Sequence, residues 1–406
     1  MSVLATFDLA PGTFLAIVAC SAVAGTMAAI VANRGLLVPV VVLELLLGIV
    51  IGPKLLGLHV TVLTSFFSDL GLGLLFFFAG YEIDVRRIAG TPLRLALLGW
   101  ALSLALAYAV GGLLAATGVV LSLLYTGSAL ATTAIGTLIP VLSDTGETQT
   151  TFGTYLLAAG AVGEFGPILL LTLILSSEGT LHNAAILIAF VALTVAVAVL
   201  AIRSSQRTIP VLERTMESSS QLAVRWIVVL IFALALLAFE LGLDLLLGGF
   251  AAGLITRETL QGREVPAFDS KLTAVAFGVF VPFFFVTSGM SLDVTALFGS
   301  VSGVLKMLLF FLLFLLVRGT PAMVLYRGVL GARERLALAF MCSTQLPLVL
   351  AITTLAVATG HMRPSTAAAL VGAAVLSTLC FPLVGLRLRR DIGPGSPADL
   401  LASAAP

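Results

Sequence analysis

Residues Phe76–Val85 read FFFAGYEIDV, and residues Phe283–Val294 read FFFVTSGMSLDV. Each closes an apolar run with three phenylalanines, a glycine and an acidic turn. Three further pairs run in the same order along the chain. ELLLGIVIGP from Glu44 answers to DLLLGGFAAG from Asp244, and ATTAIGTLIP from Ala131 answers to CSTQLPLVLAI from Cys342. AGAVGEFGP, ending at Pro167, answers to AAVLSTLCFP, ending at Pro382. Every match lies about 200–215 residues on, so the chain is read as two copies of one plan.

The medium follows from composition. Of 406 residues 60% are apolar and 10% charged, whereas a soluble domain carries about a quarter charged residues and a little under half apolar ones. Lipid is therefore the expected solvent, which excludes a cytosolic enzyme, a nucleic-acid binder and a secreted disulfide scaffold. Twenty-one basic against 20 acidic side chains leave no net field for an acidic partner. Cys20, Cys342 and Cys380 lie in apolar runs without metal-ligand spacing.

A helix needs about 20 mostly apolar residues to cross the hydrocarbon. Cutting at charges and turn residues gives thirteen segments, near 12–32, 36–53, 62–81, 92–117, 119–143, 150–175, 183–202, 223–241, 243–256, 272–290, 303–329, 334–360 and 364–386. The break between the eighth and ninth is placed at Gly242, and residues 391–406 are read as a short cytosolic tail. With the N-terminus outside and the C-terminus cytoplasmic, 17 of the 21 basic residues fall on inner loops, as the positive-inside rule requires. Each repeat match is displaced by seven segments. Seven is odd, so the second copy enters the membrane from the opposite side. Inverted repeats of this kind belong to secondary transporters, which alternate access around a midplane site. The expected class is an all-α polytopic membrane protein with about thirteen transmembrane helices in two inverted repeats.

ELLLGIVIGP, FFFAGYEIDV, LGLDLLLGGFAAGL and FFFVTSGMSLDV resemble the monovalent cation:proton antiporter superfamily. They are most similar to its second family, with Kef-type and NapA-type members, and the resemblance covers about residues 12–390. It implies an NhaA/NapA-like antiporter fold with two discontinuous helices crossing at mid-membrane. It implies a dimer domain, here about 12–81 and 223–290, a linker helix 183–202, and a core ion-transport domain about 92–175 and 303–386. It also implies a homodimer in the cell membrane.

Glu164 is the first candidate for chemistry. It sits near the middle of the sixth segment, where an ionised carboxylate is expensive. A proton or a cation relieves that expense, so the group is suited to exchanging one for the other. Gly163, Gly166 and Pro167 loosen the helix around it. The resemblance implies an Asn-Asp, Asp-Asp or Gln-Asp pair here, and this chain has Gly163-Glu164 instead. The competing reading is a structural carboxylate paired with an arginine.

Thr132 and Thr133, ahead of Pro140, and Ser343, Thr344 and Gln345, ahead of Pro347, hold matching places in the fifth and twelfth segments. Proline removes a backbone donor and breaks the helix, which frees carbonyls and exposes half-helix ends. Hydroxyl and carbonyl oxygens are what a dehydrated alkali cation requires, and the resemblance puts its unwound helices at these two places. Arg318 lies deep in the eleventh segment. The resemblance keeps a basic residue there, either partnering Glu164 or neutralising half-helix ends; a snorkelling arginine is the alternative. Asp144 and Glu147 are read either as an acidic cytosolic funnel that concentrates cations or as a solvated turn. Glu44 is read as structural. No cofactor, nucleotide loop, catalytic motif or resident metal is expected.

These observations point to exchange of Na+ or K+ for H+ by alternating access, and not to an enzyme. Gly163 cannot titrate and an arginine keeps its proton, so a single exchangeable proton predicts electroneutral transport. The alternative is a sodium-coupled solute symporter of the bile-acid type, which needs a roomier cavity and several cation ligands.

Overall fold

The computed structural model describes residues 10–32, 38–147, 150–174, 180–215, 221–241, 243, 245–260, 266–292 and 294–390. Helices account for nearly all of them. The first ten are α1 (Pro11–Ala32), α2 (Val40–Ile51), α3 (Val62–Tyr81), α4 (Val85–Ile88), α5 (Thr91–Ala116), α6 (Leu123–Leu130), α7 (Ile135–Asp144), α8 (Thr151–Ile174), α9 (Thr180–Thr215) and α10 (Leu222–Glu240). Then follow α11 (Leu245–Leu260), α12 (Pro266–Val275), α13 (Val281–Ser291), α14 (Val294–Phe298), α15 (Val301–Leu325), α16 (Ala332–Cys342), α17 (Pro347–Ala358) and α18 (Pro364–Arg390).

Among the described residues, nine helical stretches are long and apolar enough to cross a membrane. They coincide with nine of the thirteen segments. Of the other four, three fall on shorter or interrupted helices, α2, the α6–α7 pair and α11, and the eighth falls on α10, a continuous helix of 19 residues. The nine long stretches alone therefore do not fix the count at thirteen. Two boundaries differ in kind from the hydropathy reading. The seventh segment ends at residue 202, but α9 runs 36 residues. At 1.5 Å per residue that is about 54 Å, well beyond the ~30 Å hydrocarbon layer. Hydropathy marks where lipid ends, not where the backbone stops being helical. The tenth segment is continuous from α12 into α13 through a π-helical turn at Ala276–Phe280, so it begins earlier than 272. Gly242 itself lies outside the described residues.

The helices sort into two compact units. One holds nearly all of α1 and α2, with α3 and α9–α13; the other holds α4–α7, most of α8, and α14–α18. In the first unit the repeat motifs explain themselves. A Cβ on Gly80 or Gly253 would come within 3.0 Å of a main-chain carbonyl of the facing helix, Phe250 and Phe77 respectively, so α3 and α11 touch backbone to backbone. Gly48 and Gly289 do the same for α2 and α13, against the carbonyls of Val286 and Leu45. Helices in lipid gain nothing from hiding apolar surface from one another, and close approach through small residues supplies the attraction instead. The pairing is crosswise. α2 packs on α13, the counterpart of its own neighbour α3, and α3 packs on α11, the counterpart of α2. The phenylalanine triplets fill the space beside these contacts; Phe76, Phe77, Phe283 and Phe285 are fully buried.

In the second unit α15 packs on α5, α6, α16 and α18, and α17 packs on α6 and α18. Ser300 caps α15 by accepting from the Gly303 amide at 3.1 Å, and Ser122 caps α6 by accepting from the Tyr125 amide at 3.5 Å.

Adding a methyl group at the α3–α11 or α2–α13 contact must push backbones apart. Gly253→Ala and Gly289→Ala are each expected to destabilise the fold by about 1–3 kcal/mol, seen as a lower melting temperature in detergent. Gly25→Ala, where nothing lies within 4 Å of the added atom, should leave it unchanged. Equal behaviour of all three would remove close packing as the reason for these glycines.

Candidate functional site

The second unit contains both broken helices. α6 stops at Leu130 and α7 starts at Ile135; α16 stops at Cys342 and α17 starts at Pro347. Residues 131–134 and 343–346 between them are the stretches that carry the predicted threonines, serine and glutamine. Backbone that leaves the helix inside an apolar layer must find other partners, and here the opposite break and the adjoining helices supply them. The Ala134 amide donates to the Thr344 carbonyl at 2.8 Å and the Thr133 amide to the Gly163 carbonyl at 3.0 Å. Thr133 Oγ1 donates to the Cys342 carbonyl at 2.6 Å. Thr132 Oγ1 sits 3.0 Å from the Ala129 carbonyl and 2.9 Å from Gln345 Oε1, while Gln345 Nε2 donates to the Leu130 carbonyl at 3.2 Å.

Glu164 joins this knot from α8. The Ile135 amide donates to its Oε2 at 3.1 Å, and the Gly136 amide is a second donor to the same carboxylate. These are the first amides of α7, so the side chain occupies the N-terminal end of a half-helix, where free N–H groups and the helix dipole favour negative charge. Glu164 is 2% exposed, and among the described residues no ion pair reaches it. The arginine-paired reading of Glu164 therefore has no counterpart in this geometry.

Arg318, 4% exposed, is spent elsewhere and does not snorkel. Its Nε donates to Thr133 Oγ1 at 2.9 Å, Nη1 to Ser103 Oγ at 3.1 Å, and Nη2 to the Ala159 carbonyl at 3.2 Å. Thr133 Oγ1 in turn donates to the carbonyl of Cys342, the last residue of α16, so the guanidinium reaches that half-helix end through one hydroxyl. Gly163 makes room: a Cβ there would lie 2.8 Å from Thr133 Oγ1 and closer still to Arg318 Nη2.

Of the predicted oxygen ligands, Ser343 Oγ donates to the Ala339 carbonyl at 2.6 Å. Thr344 Oγ1 is the member of the group that is buried without a hydrogen-bond partner. The second break is further secured from α18, whose Ser377 Oγ accepts from the Gln345 amide at 3.0 Å. Thr378 Oγ1 donates to the Gln345 carbonyl at 3.2 Å. Trp100 Nε1 on α5 donates to the Ala131 carbonyl at 3.2 Å. Ser103, Trp100, Ser377 and Thr378 escaped the sequence reading. AAVLSTLCFP carried the signal for two of them, since it is the repeat partner of the stretch holding Glu164; Ser103 and Trp100 lie in a plain apolar run.

The expected funnel residues stand differently. The side chain of Asp144 lies outside the described residues. Glu147 takes both Nε and Nη2 of Arg389 at 2.9 Å, and the same guanidinium reaches Glu334 Oε1 at 2.7 Å. Glu147 is thus charge-compensated, which fits neither a free funnel carboxylate nor a plain solvated turn. The sequence treats its loop as lacking basic residues because Arg389 arrives from α18, 242 positions on. Glu44 belongs to the first unit. It is 3% exposed and accepts from Ser21 Oγ at 3.2 Å.

Residues 18–386 match the family described as "Sodium/hydrogen exchanger, transmembrane". The chain is 28% identical over 265 residues to the Na(+)/H(+)-K(+) antiporter GerN of Bacillus cereus, covering 63% of this chain and 65% of that protein. It is 25% identical over 265 residues to a Na(+)/H(+) antiporter of Enterococcus hirae, covering 63% and 67%. The matched region thus spans about two thirds of these relatives' length. In fold the chain is similar to the sodium proton antiporter MjNhaP1 from Methanocaldococcus jannaschii at pH 8, with a TM-score of 0.63 and 16% identity over 94% of this chain and 98% of that one. These comparisons reach the exchanger family as a whole; the narrower Kef-type placement goes further than they do. None of them favours a bile-acid-type symporter.

Gly163→Ala tests the packing of the knot. The added methyl must displace the Arg318 guanidinium, and the expected result is a folded protein whose melting temperature falls and whose exchange activity is reduced. Arg318→Lys gathers its three donors on one nitrogen, which cannot reach acceptors set around three separate nitrogens of a planar fork, and should resemble it. Full activity in both would show that the guanidinium's position is immaterial.

Proposed function

Because the chain belongs to the transmembrane sodium/hydrogen exchanger family, we propose that it exchanges Na+ for H+ across the cell membrane by alternating access, with Glu164 as the carrier. The observation that supports this best is a buried carboxylate held by the first amides of a half-helix and without an ion-pair partner among the described residues. A carboxylate in that place has its negative charge offset only by N–H dipoles. A bound proton or a bound monovalent cation completes the compensation, and the two compete for the same oxygens. Thr344 Oγ1, buried and unpartnered, is an oxygen available to a dehydrated cation. Thr132, Thr133 and Gln345 tie the unwound segments to each other, and Ser343 bonds back to the end of α16; their oxygens are the further candidate ligands. The printed name of GerN includes K+ beside Na+, which makes K+ the second cation to test.

On this reading the second unit is the moving core. The first unit, with its backbone-to-backbone glycine contacts, is the dimer-forming frame that keeps its place in the membrane, and α9 is the linker. The N-terminus is outside and the C-terminus cytoplasmic, supported by the distribution of basic residues. Arg318 acts as a fixed positive charge at the half-helix ends and holds its proton throughout.

Glu164→Gln keeps the shape and most hydrogen bonds but cannot carry a proton. In proteoliposomes containing a pH-sensitive dye, Na+-, K+- and Li+-driven proton flux should fall to the level of empty vesicles, while the variant elutes as the wild type does. Glu164→Asp should retain part of the flux with a displaced pH profile. Wild-type rates in the Gln variant would remove Glu164 from the reaction.

The stoichiometry follows from the same site. Gly163 has no proton to give and Arg318 does not release its own, so one proton exchanges for one monovalent cation. Na+-driven proton flux should be indifferent to a membrane potential of either sign set with valinomycin and K+, or with a lipophilic cation if K+ is itself a substrate. A rate or end point that follows the potential would show net charge movement.

A further inference from the structure

The carbonyls at the broken end of α6 have three different donors. Ala129 O lies within bonding distance of Thr132 Oγ1, and Leu130 O takes Gln345 Nε2. Both donors belong to the crossing itself. The third carbonyl, that of Ala131, takes the indole N–H of Trp100 at 3.2 Å, and α5 lies outside the crossing. An indole has one donor and no acceptor, so this bond uses the whole polar capacity of the side chain. The ring also lies against α8. Gly166 leaves the space it occupies, and a Cβ at that position would lie 2.6 Å from the indole. Gly166 is two residues beyond Glu164. One rigid, flat side chain therefore touches both the broken end of α6 and the helix that carries the carboxylate.

We propose that Trp100 is a positioning residue of the exchange reaction. It holds the break of α6 against α8, so that Glu164 and the Ile135 amide stay in register, and it senses the occupancy of Glu164 through the segment that joins Ala131 to Ile135. The proposal rests on Glu164 being the carrier. When Glu164 changes between protonated and cation-bound forms, its bond to the Ile135 amide changes with it. Ile135 opens α7 at the far end of the unwound segment that begins with Ala131, so a shift of that segment relative to α8 is felt at both contacts of the indole. A bulky anchor at this point also explains why Gly166 is glycine, which helix formation alone does not require.

The chain has two tryptophans, and the other, Trp226, is 64% exposed on α10. Trp226→Phe therefore leaves Trp100 as the single emitter without disturbing a packed core. Emission from the purified full-length variant is followed as NaCl is titrated against choline chloride at alkaline pH. A saturable change is expected, with a midpoint that tracks the KM for Na+-driven proton flux and that disappears when Glu164→Gln is added. A flat emission in a variant that still exchanges Na+ for H+ overturns the proposal. Trp100→Phe keeps the ring's bulk and removes the N–H. Its KM for Na+ should rise about 2–10-fold, the effect of one net hydrogen bond, with a displaced pH profile and unchanged folded yield. An unchanged KM and pH profile also overturns it. If Trp100→Phe fails to fold, the emission experiment decides, because it leaves Trp100 intact. Absence of cation-driven proton flux in the wild type would defeat the exchange reading and this proposal together. Flux with a silent Trp100 defeats this proposal alone.

Discussion

Two interruptions of helix inside an apolar layer set the terms for everything else in the second unit. Four residues at each break lose their i→i+4 partners, and neither water nor lipid can replace them at that depth. Each orphaned group must be met by something specific. The Ala134 amide and the Thr344 carbonyl meet across the crossing, Thr133 reaches Cys342, and Gln345 reaches Leu130. Arg318, Trp100, Ser377 and Thr378 are then placed where the remaining carbonyls, amides and hydroxyls are. The buried arginine is best understood in this way. It stands at an end of α16 and at the Ala159 carbonyl because those groups carry partial negative charge, and Glu164 draws on the amides of α7 instead.

The two breaks are related by the repeat but are not chemically equivalent. α7 begins with Ile135, whose amide is free to donate to Glu164. α17 begins with Pro347, which has no amide hydrogen. At the first break the adjoining helix, α8, offers a carboxylate; at the second, α18 offers the hydroxyls of Ser377 and Thr378. One fold plan used twice thus yields a single charged site. The direct partners of the second break from α18 are neutral hydroxyls.

Away from the crossing, Arg389 plays a comparable part with full charges. It joins Glu147, just after α7, to Glu334 in the first turn of α16, and its guanidinium lies 4.6 Å over the Phe152 ring. Breaking such a buried group by removing one member leaves an uncompensated charge, which is strongly destabilising. Glu334 also accepts from the Gly331 amide at 2.9 Å. The far ends of both half-helices are therefore tied to the last turns of α18, while their near ends meet at the crossing.

The amino-acid sequence by itself determined the solvent, the class and the plan. Composition required lipid, and paired motifs from Glu44 to Pro382 disclosed two inverted copies. Pro347 and the Ser/Thr clusters marked the breaks, and Glu164 stood out as a carboxylate where none is cheap. These features are legible because they are local: hydropathy, proline, and a charge in an apolar run each act within a few residues. Partnership was not legible. Glu147 with Arg389, Arg318 with Ser103, and Trp100 with Ala131 join positions that only the packing of α5, α8, α15 and α18 brings within 3.2 Å. Nor did the sequence say which half-helix end the carboxylate would face. Tertiary structure decided that, because a buried polar group is stabilised by whatever donor stands opposite it, and that geometry belongs to no single stretch of chain.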